Sequence, residues 1–269
     1  MITPLDIEEK RFSKKRMNGY SVEEVDDFLD ELAIDYSKNY KEVAELSAKV
    51  EELSKKIETF FAYNKDIDKT AYMNWRLSFD RSFASQFSTL ADGFFETSIK
   101  MIDICLEDNS DKKADSWIFP ILFNIVHGIE LYLKSINSDM NVILEQDVKI
   151  EGGHRIKQLC DVAQKRLMEI KQKVEIDGVQ EMITALKVVK NFVEIIYEKT
   201  DDMAFARYPI TKDKQAMFYV ATRENVVIDL EKLREQLKYV CCMLNFISDC
   251  LGRYHEYLSE MKSYYSDYL

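Results

Sequence analysis

Three polar residues in the middle of the chain are spaced for chemistry on one side of a helix. His127, Glu130 and Lys134 recur at steps of three and four, which brings an imidazole, a carboxylate and an ammonium onto one face. Such a cluster serves a ligand or an interface, or it forms a partly buried ion-paired network that orients a bundle, with Glu130 and Lys134 as a favourable i, i+4 pair. The two other histidines are His154 and His255. His154 follows Gly153 and reads as a helix-start residue. Arg253 and His255 are two apart, a spacing that puts them on different faces of a helix. No phosphate-binding loop, dinucleotide fingerprint, nucleophile elbow or zinc-protease pair occurs, so no cofactor is expected.

The elements that hold these residues are expected to be long helices. The 269 residues include only three prolines and seven glycines, and 46% are hydrophobic, enough for a substantial core. The net charge of −11 disfavours general nucleic-acid binding and leaves room only for a local basic patch. Five cysteines, Cys105, Cys160, Cys241, Cys242 and Cys250, lack a C-x-x-C pair. They read as reduced thiols of a cytoplasmic protein, with no metal site expected. Residues 1–9 carry three acids and no apolar core, so no signal peptide is expected. The apolar stretch 117–133 is broken by Pro120, Asn124, His127 and Glu130 and reads as a buried helix.

The first sixty residues carry the sharpest pattern. Val22, Leu29, Tyr36, Val43, Val50 and Ile57 fall at heptad position a. Val25, Leu32, Asn39, Leu46, Leu53 and Phe60 fall at d. All but Asn39 are apolar or aromatic. This predicts a parallel two-stranded coiled coil about 58 Å long, with Asn39 fixing its register. Ser21 with Glu24 three residues on predicts a capping box. The segment 14–20 then becomes a loop at the coil tip.

The motifs ITPLDIEEKRF, then GY, then EEVDDFLDEL resemble the N-terminal domain of the DivIVA/GpsB family. The resemblance covers residues 1–60. It implies a cytoplasmic scaffold, a parallel dimer capped by crossed loops, which meets membrane through the tip or holds basic tails of membrane enzymes beside it. Lys14, Lys15 and Arg16 would face anionic headgroups, each worth about 1 kcal/mol, with Met17 where DivIVA members usually carry an aromatic. Tyr20, Asp26, Leu29 and Asp30 match the partner groove, where two carboxylates accept a partner arginine and Leu29 packs its stem. The residues alone equally allow Leu29 as seam, Tyr20 as core and the acids as a solvated face.

After Phe60 the seam fades. Helices are expected at about 69–107, 115–137, 154–175, 178–199 and 228–266, with Asp177 and Asp229 as N-caps. The segments 138–153 and 200–227 read as irregular, the second with a small hairpin around Pro209. FPILFNIVHGIELYLKSI and GGHRIKQLCDVAQKRL, with the RYP loop, resemble HEPN-type helical bundles over residues 65–266. Active HEPN ribonucleases carry an arginine followed after four to six residues by a histidine, both acting at the RNA phosphate. No histidine here has that spacing, and Arg253 with His255 comes nearest.

The expectation is therefore an all-α protein: a DivIVA-like parallel dimeric coiled coil over residues 1–62 with a capped tip loop, then a HEPN-like bundle over 63–269 with one small β-hairpin loop. The expected function is a non-enzymatic scaffold, cytoplasmic or membrane-associated in a bacterium. The coil makes the homodimer or a higher oligomer and localises it, and the bundle binds a further protein partner. The alternatives are a HEPN-like ribonuclease toxin in phage defence, the one reading with RNA as partner, and a cell-division or cell-pole scaffold.

Overall fold

The computed structural model describes residues 4–15, 19–58, 65–74, 77, 81–147, 153–174, 176–200 and 203–266. The chain divides into two compact units, Met1–Tyr72 and Met73–Leu269. The fold is all-α apart from one two-residue strand pair and one isolated bridge.

In the first unit, α1 (Pro4–Glu9) leads into strands β1 (Lys14–Lys15) and β2 (Gly19–Tyr20), then into the long helix α2 (Val22–Glu58). The strands pair antiparallel, Lys14 opposite Tyr20. The helix starts where expected, but not through a reciprocal capping box. The Ser21 N–H donates to the Ser13 carbonyl at 3.0 Å, and the Glu24 carboxylate accepts from the Ser13 N–H at 2.8 Å. Glu24 thus ties the incoming loop to α2 where a capping box would hold its own helix start.

The second unit is a bundle of α3 (Phe83–Glu107), α4 (Ala114–Ile143), α5 (Ile156–Lys173), α6 (Val179–Ile196) and α8 (Leu230–Ser266), with a short α7 (Phe218–Ala221). Helix α4 is central and packs against α3, α5 and α8, while α6 bridges α5 and α8. Its residues Ile121, Ile125, Ile129, Leu133, Ile136 and Met140 are fully buried; this three-and-four spacing gives α4 its continuous apolar face. Helix α4 is long and apolar enough to cross a membrane by length and composition, yet 56% of its most apolar window is buried inside the bundle. That fits a core helix.

Where α3 and α4 cross, a ring of α3 lies hard against a glycine of α4. A Cβ on Gly128 would lie 2.7 Å from the Phe95 ring, and Phe95 itself is stacked on Tyr132 with centroids 5.8 Å apart. Position 128 has room only for hydrogen.

Three boundaries differ from expectation. Helix α3 begins at Phe83, not near 69, because Ser82 caps it by accepting from the Ser85 N–H at 3.1 Å. The residues at 67–69 instead form a 3-10 turn capped by Asp66. Helix α4 starts at Ala114, within one residue of expectation, where Asn109 accepts from the Ala114 N–H at 2.9 Å, with Pro120 inside it. Helix α4 also runs on to Ile143. The N-cap of α6 is Gly178, whose φ of 81° is left-handed and suits glycine, so Asp177 does not cap it. Asp229 does receive the Lys232 N–H at 3.1 Å. The loop after α6 has a lone bridge, Ile210 to Ala216, in the region expected to hold a hairpin.

Candidate functional site

Side chains in the first unit build the tip upward from the loop. The Phe12 ring meets Tyr20 edge-on at 6.2 Å and Phe28 at 5.7 Å. The Lys10 ammonium sits 4.7 Å above the Phe28 ring, a cation–π contact. This aromatic knot holds the loop to the first turns of α2. Asp26 and Asp30 are exposed one helical turn apart, with Leu29 beside them, and Tyr20 is exposed across from Lys14. The four residues are therefore accessible to a partner. Arg16 and Met17 lie outside the described residues, and Lys15 is described only in its backbone.

The heptad residues form an uncovered stripe. Val22, Leu29, Tyr36, Val43, Leu46, Val50 and Leu53 are between 49% and 70% exposed in the single chain. Asn39 is exposed among them, and Val25 and Leu32 are half-buried. The Ile57 side chain and Phe60 lie outside the described residues.

In the second unit, Glu130 is the hub of a polar cluster. Its side chain is only 6% exposed. Lys134 Nζ donates to it at 2.7 Å, His154 Nδ1 lies at 3.0 Å and His127 Nδ1 at 3.7 Å. Burial alone would push the Glu130 carboxyl up. The contacts from His127, Lys134 and His154, with the Lys134 charge, outweigh it and hold the pKa at about 2. His127 is further fixed by Phe94, edge-on at 4.7 Å, and by Phe123, stacked at 5.8 Å. The Arg207 guanidinium covers Phe123 at 5.7 Å. His154 is a member that helical spacing does not reveal, because it arrives from the start of α5, 24 residues away. The signal for it is chemical: a lone histidine before a helix, opposite a buried carboxylate.

Arg253 and His255 line one cleft of about 570 Å³ with Ser85, Ser135, Asp139 and Ser248. The two-residue spacing had suggested separate faces; the cleft is wide enough to take both. Its chemistry is not that of a free general base. His255 Nε2 donates to the Asp139 carbonyl at 3.1 Å, and its Nδ1 faces the Asp139 carboxyl at 3.9 Å. The Arg253 guanidinium touches Cys250 Sγ at 3.3 Å.

Burial pushes the Asp139 carboxyl up to about 6, against the pull of His255. A raised carboxyl favours the fold fully below its unfolded value near 3.8, and this support is lost as pH rises through 6. Asp139→Asn is thus expected to gain about 1–3 kcal/mol over the parent above pH 6 and little near pH 4. Urea unfolding at both pH values checks the sign.

All five cysteines are free. Among the described residues no group of three His, Cys, Asp or Glu side chains is placed to hold a metal ion.

Residues 2–76 match a family model described as DivIVA protein. The N-terminal unit is therefore DivIVA-like, as its tip motifs suggest. No curated protein and no solved structure matches the chain.

Proposed function

We propose that the chain is a non-enzymatic scaffold of the cell-division or cell-pole kind. In this reading α2 pairs in parallel with α2 of a second copy, the tip of residues 10–30 meets a membrane surface or a membrane enzyme's basic tail, and the bundle carries a further protein partner. The observation that carries it is the apolar stripe from Val22 to Leu53, half-exposed or more in one chain on a DivIVA-like segment. Each buried leucine or valine is worth about 1.5–3 kcal/mol, so the stripe suffices for a stable dimer. Static light scattering of the full chain at micromolar concentration tests this, with an even number of copies expected. A monomer would sink it.

A second reading, a HEPN-like ribonuclease toxin, draws on one observation: Arg253 and His255 share a cleft. Inducing the full chain in bacteria, beside an Arg253→Ala/His255→Ala variant, tests it. Growth and RNA are expected to stay intact with both. RNA cleavage lost in the variant would favour the toxin.

A further inference from the structure

The segment just before α8 belongs to no helix, strand or bridge. Residues 225–229 run without bend or turn into the helix. Val226 and Ile228 are 42% and 43% exposed, and Val227 between them is 83% exposed. This alternation in exposure follows the two-residue period of a β-strand. Residues 225–229 all line an apolar groove of about 440 Å³ with Leu122, Phe192, Phe205 and Phe218. Among the described residues, no backbone hydrogen bond is made at 225–228. A β-branched run with free N–H and C=O groups is a template for another strand.

The charges at its ends say which strand. The sequence is Arg223-Glu224-Asn225-Val226-Val227-Ile228-Asp229. Arg223 and Asp229 stand three residues either side of Val226. Antiparallel pairing of two copies about Val226 sets Arg223 opposite the partner's Asp229 at both ends and the two Val226 side chains opposite each other. Centring the pair between Val226 and Val227 would oppose Glu224 to Asp229, a like-charge contact that costs stability. Centring it on Val227 would oppose Arg223 to Glu231, which is already inside α8. Arg223 is exposed and makes no ion pair among the described residues. Asp229 accepts from the Lys232 N–H and lies 3.3 Å from Lys232 Nζ, which leaves carboxylate lone pairs for a second cation.

We propose that residues 223–229 form an antiparallel two-stranded ribbon with the same residues of a second copy of this chain, in register about Val226. This contact is independent of the α2 stripe. With both contacts in use, dimers link into longer assemblies.

The test uses the full chain. Arg223→Asp puts a carboxylate against the partner's Asp229, and the mass from light scattering is expected to fall by a factor of two or more. The ratio reads the strand contact alone, because α2 is the same in both proteins. In a Cys242→Ser background, Val226→Cys places two thiols at a directly opposed position, where Cα atoms about 4.5–5.5 Å apart admit a disulfide. Mild oxidation is expected to give a cross-linked dimer there, and much less with Val227→Cys, which would face Asn225. Equal masses for the parent and Arg223→Asp would overturn the proposal. Preferential cross-linking at 227 would overturn the register.

Discussion

Leu46→Asp is expected to split the oligomer at the coil. Leu46 is a d-position residue, more than half exposed in the single chain. In a parallel dimer two leucines at this layer face each other. The substitution removes both and sets two carboxylates in the seam. Losing two buried leucines and desolvating two like charges costs about 4–6 kcal/mol, or roughly a thousand- to ten-thousandfold in Kd. The mass should fall by at least half at concentrations where the parent is fully assembled, with the helical signal of the bundle unchanged. An unaltered mass would show that the stripe is not the dimer contact. Asn39→Leu makes a useful companion: it should tighten association while loosening register.

Glu130→Ala is expected to give the largest loss within the bundle. The glutamate is the counter-charge for Lys134 and the polar partner of His127 and His154. Removing one member of a buried pair strands the other, at about 3–5 kcal/mol. For a unit of this size that is roughly 6–20 °C in Tm. The acid response gives a second readout. The folded pKa near 2 lies below the usual 4.5, so the stabilisation from Glu130 is present above 4.5 and disappears as pH falls to 2. Its size is about 3 kcal/mol. In the alanine variant this part of the acid transition should be missing. Glu130→Gln keeps the shape and an acceptor for Lys134, and should fall between the two. Equal stability of parent and alanine variant would mean that solvent screens the cluster.

Periodicity made the helices legible, and contacts across loops stayed hidden. Helix α2 announces itself because its apolar residues repeat every 3.5 positions. His127, Glu130 and Lys134 lie along one helix, so spacing alone places them together. His154 joins them across a loop, and no local rule reports that. The start of α3 was misplaced because the phenylalanine-rich pattern gives no sign of where the helix begins. The hydrogen bonds that set it belong to Ser82 and Asp66, two small residues among many. At α6 the familiar cap residue, Asp177, sits one position from the real boundary, which a left-handed glycine defines. The tip cluster was half visible: Phe12 and Tyr20 belong to recognisable motifs. Phe28 falls outside the a and d positions and shows its role only once Phe12 folds back onto it.

Tyr132 has a consequence for how the protein is made. It lies on the central helix, and its hydroxyl is bonded to Asp92 on α3 at 2.6 Å and to Asn245 on α8. Half of this clasp is available as soon as α3 and α4 leave the ribosome. The other half is more than a hundred residues further on. At synthesis rates of about 5–20 residues per second, that is a wait of roughly 5–20 s. During it the side of α4 that α8 will cover stands open to water. The arrival of α8 is what closes that surface.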